Sequence, residues 1–361
     1  MKNKRFTAVA TAAAIMLGVC GVGEKTAQKL ISEFGAGNTA SSTVGGSTDV
    51  SSASSEAKDL EEVSVVLDWY PNGSHVFLYD AIEEGYYEEE GLKIKVEFPS
   101  NTNDAISMTS AGKADIGFYY MHDVIQANAN QNIPVVSIGA AVQNPVNVLM
   151  SLGDKNIKTV ADLKGKKIGY GGSVLNEAFV KTMLKNAGLK EDDAELIDVG
   201  FELMSSMTTG QVDATIGGFV SHEVPELENQ GFTVNYIKPT ENGVPDYTEL
   251  VFVTSKENAE KNADKLTRFL RATKKGYEHV KANPEKGVEN LLKNQNTENF
   301  PLNKDVETKS VATILSLAEK DGAPFLSQSE ETWTNNIKWM LDTGVITKSV
   351  DAKDMIVKLV D

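Results

Sequence analysis

Asp68, Trp69, Asn72 and His75 fall within a single short run of the chain. Together they offer a carboxylate acceptor, an indole face, an amide that both donates and accepts, and an imidazole. Pro71 and Asn72 follow the indole closely and signal a turn, which directs Trp69 towards a cleft rather than a core. Similar chemistry recurs downstream. Tyr119 and Tyr120 end an apolar run, Gly171 and Gly172 precede Asn176 and Glu177, and Gly217 and Gly218 precede Glu223. Strand alternation turns one tyrosine of the pair towards a cleft, and Tyr120 is the expected one. The candidate binding set is therefore Asp68, Trp69, Asn72, His75, Tyr120, Gly171, Asn176, Glu177, Gly218 and Glu223, which contains no Lys or Arg. A phosphorylated or sulfonated ligand calls for cationic donors, whereas a planar neutral heterocycle calls for stacking faces and hydrogen-bond partners. The set fits the second description.

Two other chemistries compete for the same residues. His75, His122 and His222 each follow an expected strand, as ligands of a transition metal could, but no close-spaced pair supports such a site and no metal is expected. Gly171-Gly172 entering a helix could cradle a phosphate, yet it lacks the longer glycine pattern and the following Lys of a P-loop. Close approach of a ligand to the backbone is the expected use. Glu177 near a helix start also suits the helix dipole, and Glu223 also suits a solvated first turn.

These residues need elements to hold them. Ser64–Leu67 reads as a buried strand, Leu78, Ala81, Ile82 and Gly85 recur at helical spacing, and Leu92, Ile94, Val96 and Phe98 alternate with charged neighbours. A short helix over 104–112 leads into a third strand at 115–119, so a mostly parallel sheet is expected. The same order restarts at Lys167–Tyr170, a helix striped with Leu175, Ala178, Phe179, Thr182 and Met183, and a strand at Leu196–Val199. Gly112-Lys113-Ala114-Asp115-Ile116 is echoed by Gly210-Gln211-Val212-Asp213-Ala214. Beyond Val253 helical signals dominate. These patterns give an α/β protein with lobe I at 61–143 and 257–361, lobe II at 144–256, and crossings near Asn144 and Lys256 that form a hinge. In open α/β sheets ligands bind beyond the carboxyl ends of the strands, where most of the candidate residues fall.

The chain has 361 residues, 41% of them hydrophobic, enough for two domains. A net charge of −16, from 51 acidic and 35 basic residues, argues against nucleic acid and anionic membrane surfaces as partners. Met1–Arg5 is basic and 6–19 is apolar, a leader too short to span a membrane, so the chain is expected to be exported. Cys20, the single cysteine, ends this apolar run after Leu17-Gly18-Val19, which resembles a bacterial lipobox with Val19 where a smaller residue is usual. A lipid anchor on Cys20, a leader at 1–20 and a Ser- and Gly-rich tether at 21–60 are expected. With no second cysteine, disulfides and Cys-based zinc sites are excluded.

The run Leu67-Asp68-Trp69-Tyr70-Pro71-Asn72-Gly73-Ser74-His75, followed by Gly85-Tyr86-Tyr87 and Gly91-Leu92, resembles the ThiY-type binding proteins that ABC importers use for pyrimidine precursors of thiamin. Further similar stretches are 161–169, Asn176-Glu177, Ile216-Gly217-Gly218, His222-Glu223, 243–247 and Asn299-Phe300-Pro301, so the likeness covers roughly 62–361. The resemblance implies a two-lobed type II periplasmic-binding-protein fold, a formylated 4-amino-5-aminomethyl-2-methylpyrimidine as ligand, and permease and ATPase subunits as partners. It implies no cofactor and no enzyme activity, and a monomer is expected. A synthase of the same pyrimidine belongs to this superfamily, but it carries a cysteine-rich iron motif that a chain with Cys20 alone cannot supply. Other solutes, such as riboflavin, a sulfonate or a metal, remain the alternative.

Overall fold

The computed structural model describes residues 59–295, 297 and 301–360. Cys20, the leader and nearly all of the expected tether lie outside the described residues, as do Asn299 and Phe300. In chain order the strands are β1 (Glu61–Val66), β2 (Leu92–Glu97), β3 (Ile116–Tyr120), β4 (Val135–Val142), β5 (Asn147–Leu152), β6 (Lys167–Tyr170), β7 (Glu195–Asp198), β8 (Ala214–Phe219), β9 (Val234–Ile237) and β10 (Leu250–Ser255).

They build two five-stranded sheets of one design. The first has the order β2-β1-β3-β10-β4 and the second β7-β6-β8-β5-β9. In each, three strands run parallel, and one strand from beside a crossing pairs antiparallel with the third of them: β10 against β3, β5 against β8. The chain thus passes between the sheets twice, after β4 and before β10. Helices cover the sheets, as the alternation of elements requires. Among the described residues no helix is long and apolar enough to cross a membrane.

The short sequence echo has a structural counterpart. Gly112 (φ 66°) and Gly210 (φ 76°) each follow a helix, Asp104–Ser110 and Leu203–Thr208, in the left-handed conformation that glycine adopts without steric cost. Three residues on, Asp115 Oδ2 accepts the backbone N–H of Ser64 at 2.9 Å and Asp213 Oδ2 accepts that of Lys167 at 3.0 Å. Lysines close both motifs, Lys265 on Asp115 at 2.6 Å and Lys155 on Asp213 at 3.3 Å. Burial raises each carboxyl's pKa, but these hydrogen bonds outweigh it and leave both below the ordinary range. Each aspartate ties the start of its third parallel strand to the first.

Two sequence expectations change. Gly85, expected within a helix, instead ends Val76–Glu83 with φ 75°, and a separate turn of helix, Tyr86–Glu89, follows. Phe98 stands just past the edge strand β2 and is 42% exposed, so its place in the alternating pattern is not a core place. Strand β4 is buried along its whole length although it ends the sheet order. Its outer edge is covered: Ser137 exchanges backbone bonds with Met355 and Val357, and Ala140 with Leu326. Capping the edge in this way prevents pairing with another chain.

Candidate functional site

A cleft of about 630 Å³ opens between the carboxyl ends of the two sheets. Asp68 and Trp69 reach it from the loop after β1, Tyr119 and Tyr120 from the end of β3, and Glu249 from the residue before β10. The other sheet supplies Asn147 of β5, Gly171 and Gly172 after β6, Phe201 after β7, Gly217 of β8, and Asn176 on the helix Val174–Asn186. Its described lining contains four carboxylates and neither Lys nor Arg.

Asp68 is the most constrained of these. The backbone N–H of Asn72 points at His75 Nδ1 at 3.2 Å, so that nitrogen carries no proton and Nε2 carries one. Nε2–H donates to Asp68 Oδ1 at 2.8 Å, and the Tyr120 hydroxyl donates to Oδ2 at 3.0 Å. Burial first, then the charge of Asp68, raise the Tyr120 pKa well above its ordinary value, which keeps the proton on the phenol. His75 is fully buried with both ring nitrogens engaged, so it orients Asp68 and offers no base to a ligand. Asn72 serves the same loop: its Oδ1 accepts from Ser74 N at 2.8 Å and caps the short turn Gly73–His75.

The aromatic face comes from both lobes. Trp69 lies 4.5 Å from Phe201 between ring centroids and 6.3 Å from Tyr70, and Tyr70 lies 5.6 Å from Phe201. This cluster holds the indole in the lining of the cleft. Both tyrosines of the pair border the cleft, not one alone, but Tyr119 is buried and its hydroxyl donates to the Thr102 carbonyl.

An amide network lines the second lobe. Asn147 Nδ2 donates to Asn176 Oδ1 at 3.3 Å, and Asn147 Oδ1 accepts from Gly217 N at 3.1 Å. Gly217 has φ 107°, and a Cβ there would lie 2.7 Å from Asn176 Nδ2, so only glycine leaves room for the network. Glu249, buried, accepts from the backbone N–H groups of Val146 and Asn147 at 2.7 and 2.8 Å, and burial still pushes its carboxyl up to about 7. Asp123, in the first turn of the helix Met121–Asn130, also lines the cleft; burial pushes it up to about 7, and its Oδ2 has no hydrogen-bond partner.

Of the ten candidates read from sequence, Asp68, Trp69, Tyr120, Gly171 and Asn176 line the cleft. Asn72 and His75 stand behind Asp68. Glu177 accepts from the Tyr170 hydroxyl at 2.7 Å and borders a separate pocket, while Glu223 is buried and accepts from Phe219 N at 2.7 Å. Gly218 is packed under Met150, whose Cε would lie 2.5 Å from a Cβ there. The three histidines are not brought together: His122 is buried against Asn336 Oδ1 at 2.8 Å and burial pushes it down to about 4, and His222 faces Glu307. The carboxylate and imidazole grouping with ligand-like proximity among the described residues, Asp80, Glu84 and His279, does not line the cleft, and Asn290 bridges its two acids. Sequence reasoning missed Asp123, Asn147, Phe201 and Glu249. Phe201 and Asp123 each follow a strand that was expected, and Phe201 carried a usable signal; Asn147 and Glu249 follow no expected strand end.

Two sheets of this shared order, crossed twice by the chain and facing one cleft, define the two-lobed fold of the type II periplasmic-binding proteins. The alkanesulfonate-binding protein SsuA from Xanthomonas axonopodis pv. citri has the same fold, with a TM-score of 0.64 at 15% identity over 84% of this chain and all of that one (100%). Residues 72–287 match the family model described as NMT1/THI5 like, and the chain belongs to that family. It is 39% identical to the formylaminopyrimidine-binding protein of Halalkalibacterium halodurans over 85% of this chain and 93% of that protein. It is also 26% identical, over 70% of this chain and 76% of its relative, to the 4-amino-5-hydroxymethyl-2-methylpyrimidine phosphate synthase of Aspergillus parasiticus.

Proposed function

We propose that this chain is the solute-binding protein of an ABC importer and delivers a formylated 4-amino-5-aminomethylpyrimidine to its permease for thiamin salvage. The observation that carries the reading is a cleft without a cation, furnished with an indole, two tyrosines, amides and carboxylates, in a chain 39% identical to a formylaminopyrimidine-binding protein. A sulfonate or phosphate would find no Lys or Arg in this lining, whereas an aminopyrimidine brings N–H donors to its acid and amide oxygens and a ring to Trp69. The synthase reading lacks the thiols its iron motif requires, since Cys20 is the single cysteine.

In this reading the mature protein is exported and held at the outer face of the cell membrane by a lipid on Cys20, acts as a monomer, and closes lobe II (144–256) on lobe I about the two crossings. A thermal-shift panel tests the ligand. The formylated aminopyrimidine at about 100 times its dissociation constant should add roughly 2.7 kcal/mol of stability, and taurine, riboflavin and zinc should add none. A shift with one of those three and none with any pyrimidine overturns the ligand and leaves the transport role. Membrane fractionation of Cys20→Ala tests the anchor: the variant should be released, and full retention contradicts lipidation.

A further inference from the structure

Four carboxylates line the cleft, and three of them are already engaged. Asp68 accepts from His75 and Tyr120, Glu249 from two backbone N–H groups, and Asp198 is exposed to water and accepts from Gly200 N at 3.0 Å. Asp123 differs: its Oδ2 is sealed from solvent and meets no donor. A carboxyl oxygen left in this state carries its full desolvation penalty, which a ligand group that bonds to it would relieve. The backbone around it is committed to the start of the helix Met121–Asn130, so the side chain is held at the wall of the cleft.

From this geometry we infer that Asp123 is the specificity-determining residue for the ligand's amidine edge, with its protonated carboxyl donating O–H to a ring nitrogen while its carbonyl oxygen accepts from the exocyclic amino group. The inference rests on the aminopyrimidine reading above. A neutral carboxylic acid and a 4-aminopyrimidine are matched donor to acceptor and acceptor to donor, as Asn and the N6/N7 edge of adenine are. A carboxylate would meet the ring nitrogen with a second lone pair and repel it. Burial holds Asp123 protonated to about pH 7, so the neutral form is present near neutrality. The cation these surroundings bring, Lys338, is exposed and pairs with Asp342, so it does not reverse this. Of the elements packed on its helix, β3 brings Tyr119 and Tyr120, the helix Asp104–Ser110 brings Asp104, and β4 and β10 bring no titratable side chain; the helix Glu330–Asp342 brings Glu330, Glu331, Lys338 and Asp342, all exposed.

The test exploits the fact that an asparagine presents the pattern of a protonated aspartic acid at every pH. The formylated aminopyrimidine is titrated calorimetrically into wild type, Asp123→Asn and Asp123→Leu at about pH 6, 7 and 8, each in two buffers of different ionisation enthalpy. Wild type should take up a proton on binding above about pH 7 and lose affinity by up to roughly tenfold per pH unit there. Asp123→Asn should bind as wild type does at pH 6, fall less towards pH 8 and take up one proton fewer, any remainder reporting Glu249. Asp123→Leu should bind roughly tenfold or more weakly throughout, the loss expected for a good bidentate pair. Affinity of wild type that is flat with pH while Asp123→Asn is weak throughout would show an ionised acceptor and overturn the inference, as would wild-type binding by Asp123→Leu. Wild type that binds no pyrimidine at any pH refutes the functional reading itself and the inference with it, an outcome visible before either variant is compared.

Discussion

At the scale of single residues, the site depends on side chains that hold other side chains in place. His75 holds Asp68 through Nε2–H, so His75→Ala leaves a buried carboxylate oxygen without its donor. Affinity should fall by about 1–3 kcal/mol with little change in the ligand's pH dependence, measured by calorimetry. Trp69→Ala should cost about 1 kcal/mol beyond lost contact area if the indole stacks on the ring. Asp123 and Glu249 also shape stability. Each has a folded pKa raised to about 7, so its contribution is whole below the ordinary carboxylate range and is lost as pH rises through 7. His122, pushed down to about 4, acts oppositely between 4 and its ordinary 6.5, and is neutral in folded and unfolded chains above that. The melting temperature of the ligand-free protein should therefore fall from pH 6.5 to about 8, and Asp123→Asn with Glu249→Gln should flatten the slope. A profile unchanged by the two substitutions contradicts the assignment. The loop after β1 was legible because Asp68, Trp69, Asn72 and His75 crowd one turn, but sequence order could not separate the residues that face the cleft from Asn72 and His75, which brace them. Asp123 was not legible: an acid in a first helical turn reads as an ordinary dipole partner until its burial is known.

At the scale of elements, the crossings are where the two sheets meet. Glu249, just before β10, accepts from Val146 and Asn147, just before and at the start of β5, so one carboxylate pins both passages of the chain. Glu249→Ala strips two buried N–H groups of their acceptor and should cost about 1–3 kcal/mol for each, read by chemical denaturation. Gly217→Ala forces a left-handed alanine against Asn176, and it should weaken ligand binding by displacing the Asn147–Asn176 pair as well as lower stability. Wild-type affinity in that variant would remove the amide network from the site. The strands that follow clean alternation or apolar runs were readable. β4, β5 and β9 were not read, because β4 and β5 are buried on both faces and show no period, while β9 is four residues long and largely exposed at its sheet's edge. Asn147, the first residue of β5, went unseen with them, and so did its contact with Glu249.

At the scale of the whole molecule, the cleft draws its lining from both sheets, so a ligand that touches both lobes favours the closed arrangement by its differential contacts there. The two-lobe order was legible from the restart of strand and helix at Lys167 and from the Asp115 and Asp213 echo, whose shared hydrogen bonds show why that short motif repeats. Small-angle scattering should show a smaller radius of gyration at ligand saturation, and an unchanged radius contradicts hinge closure. The central claim, that this cleft takes an aminopyrimidine and no anion, is tested most directly by calorimetric titration of the wild-type protein with the formylated aminopyrimidine and with taurine under one buffer. The account predicts saturable one-to-one binding of the pyrimidine and no heat from taurine; saturable binding of taurine with none of the pyrimidine would contradict it.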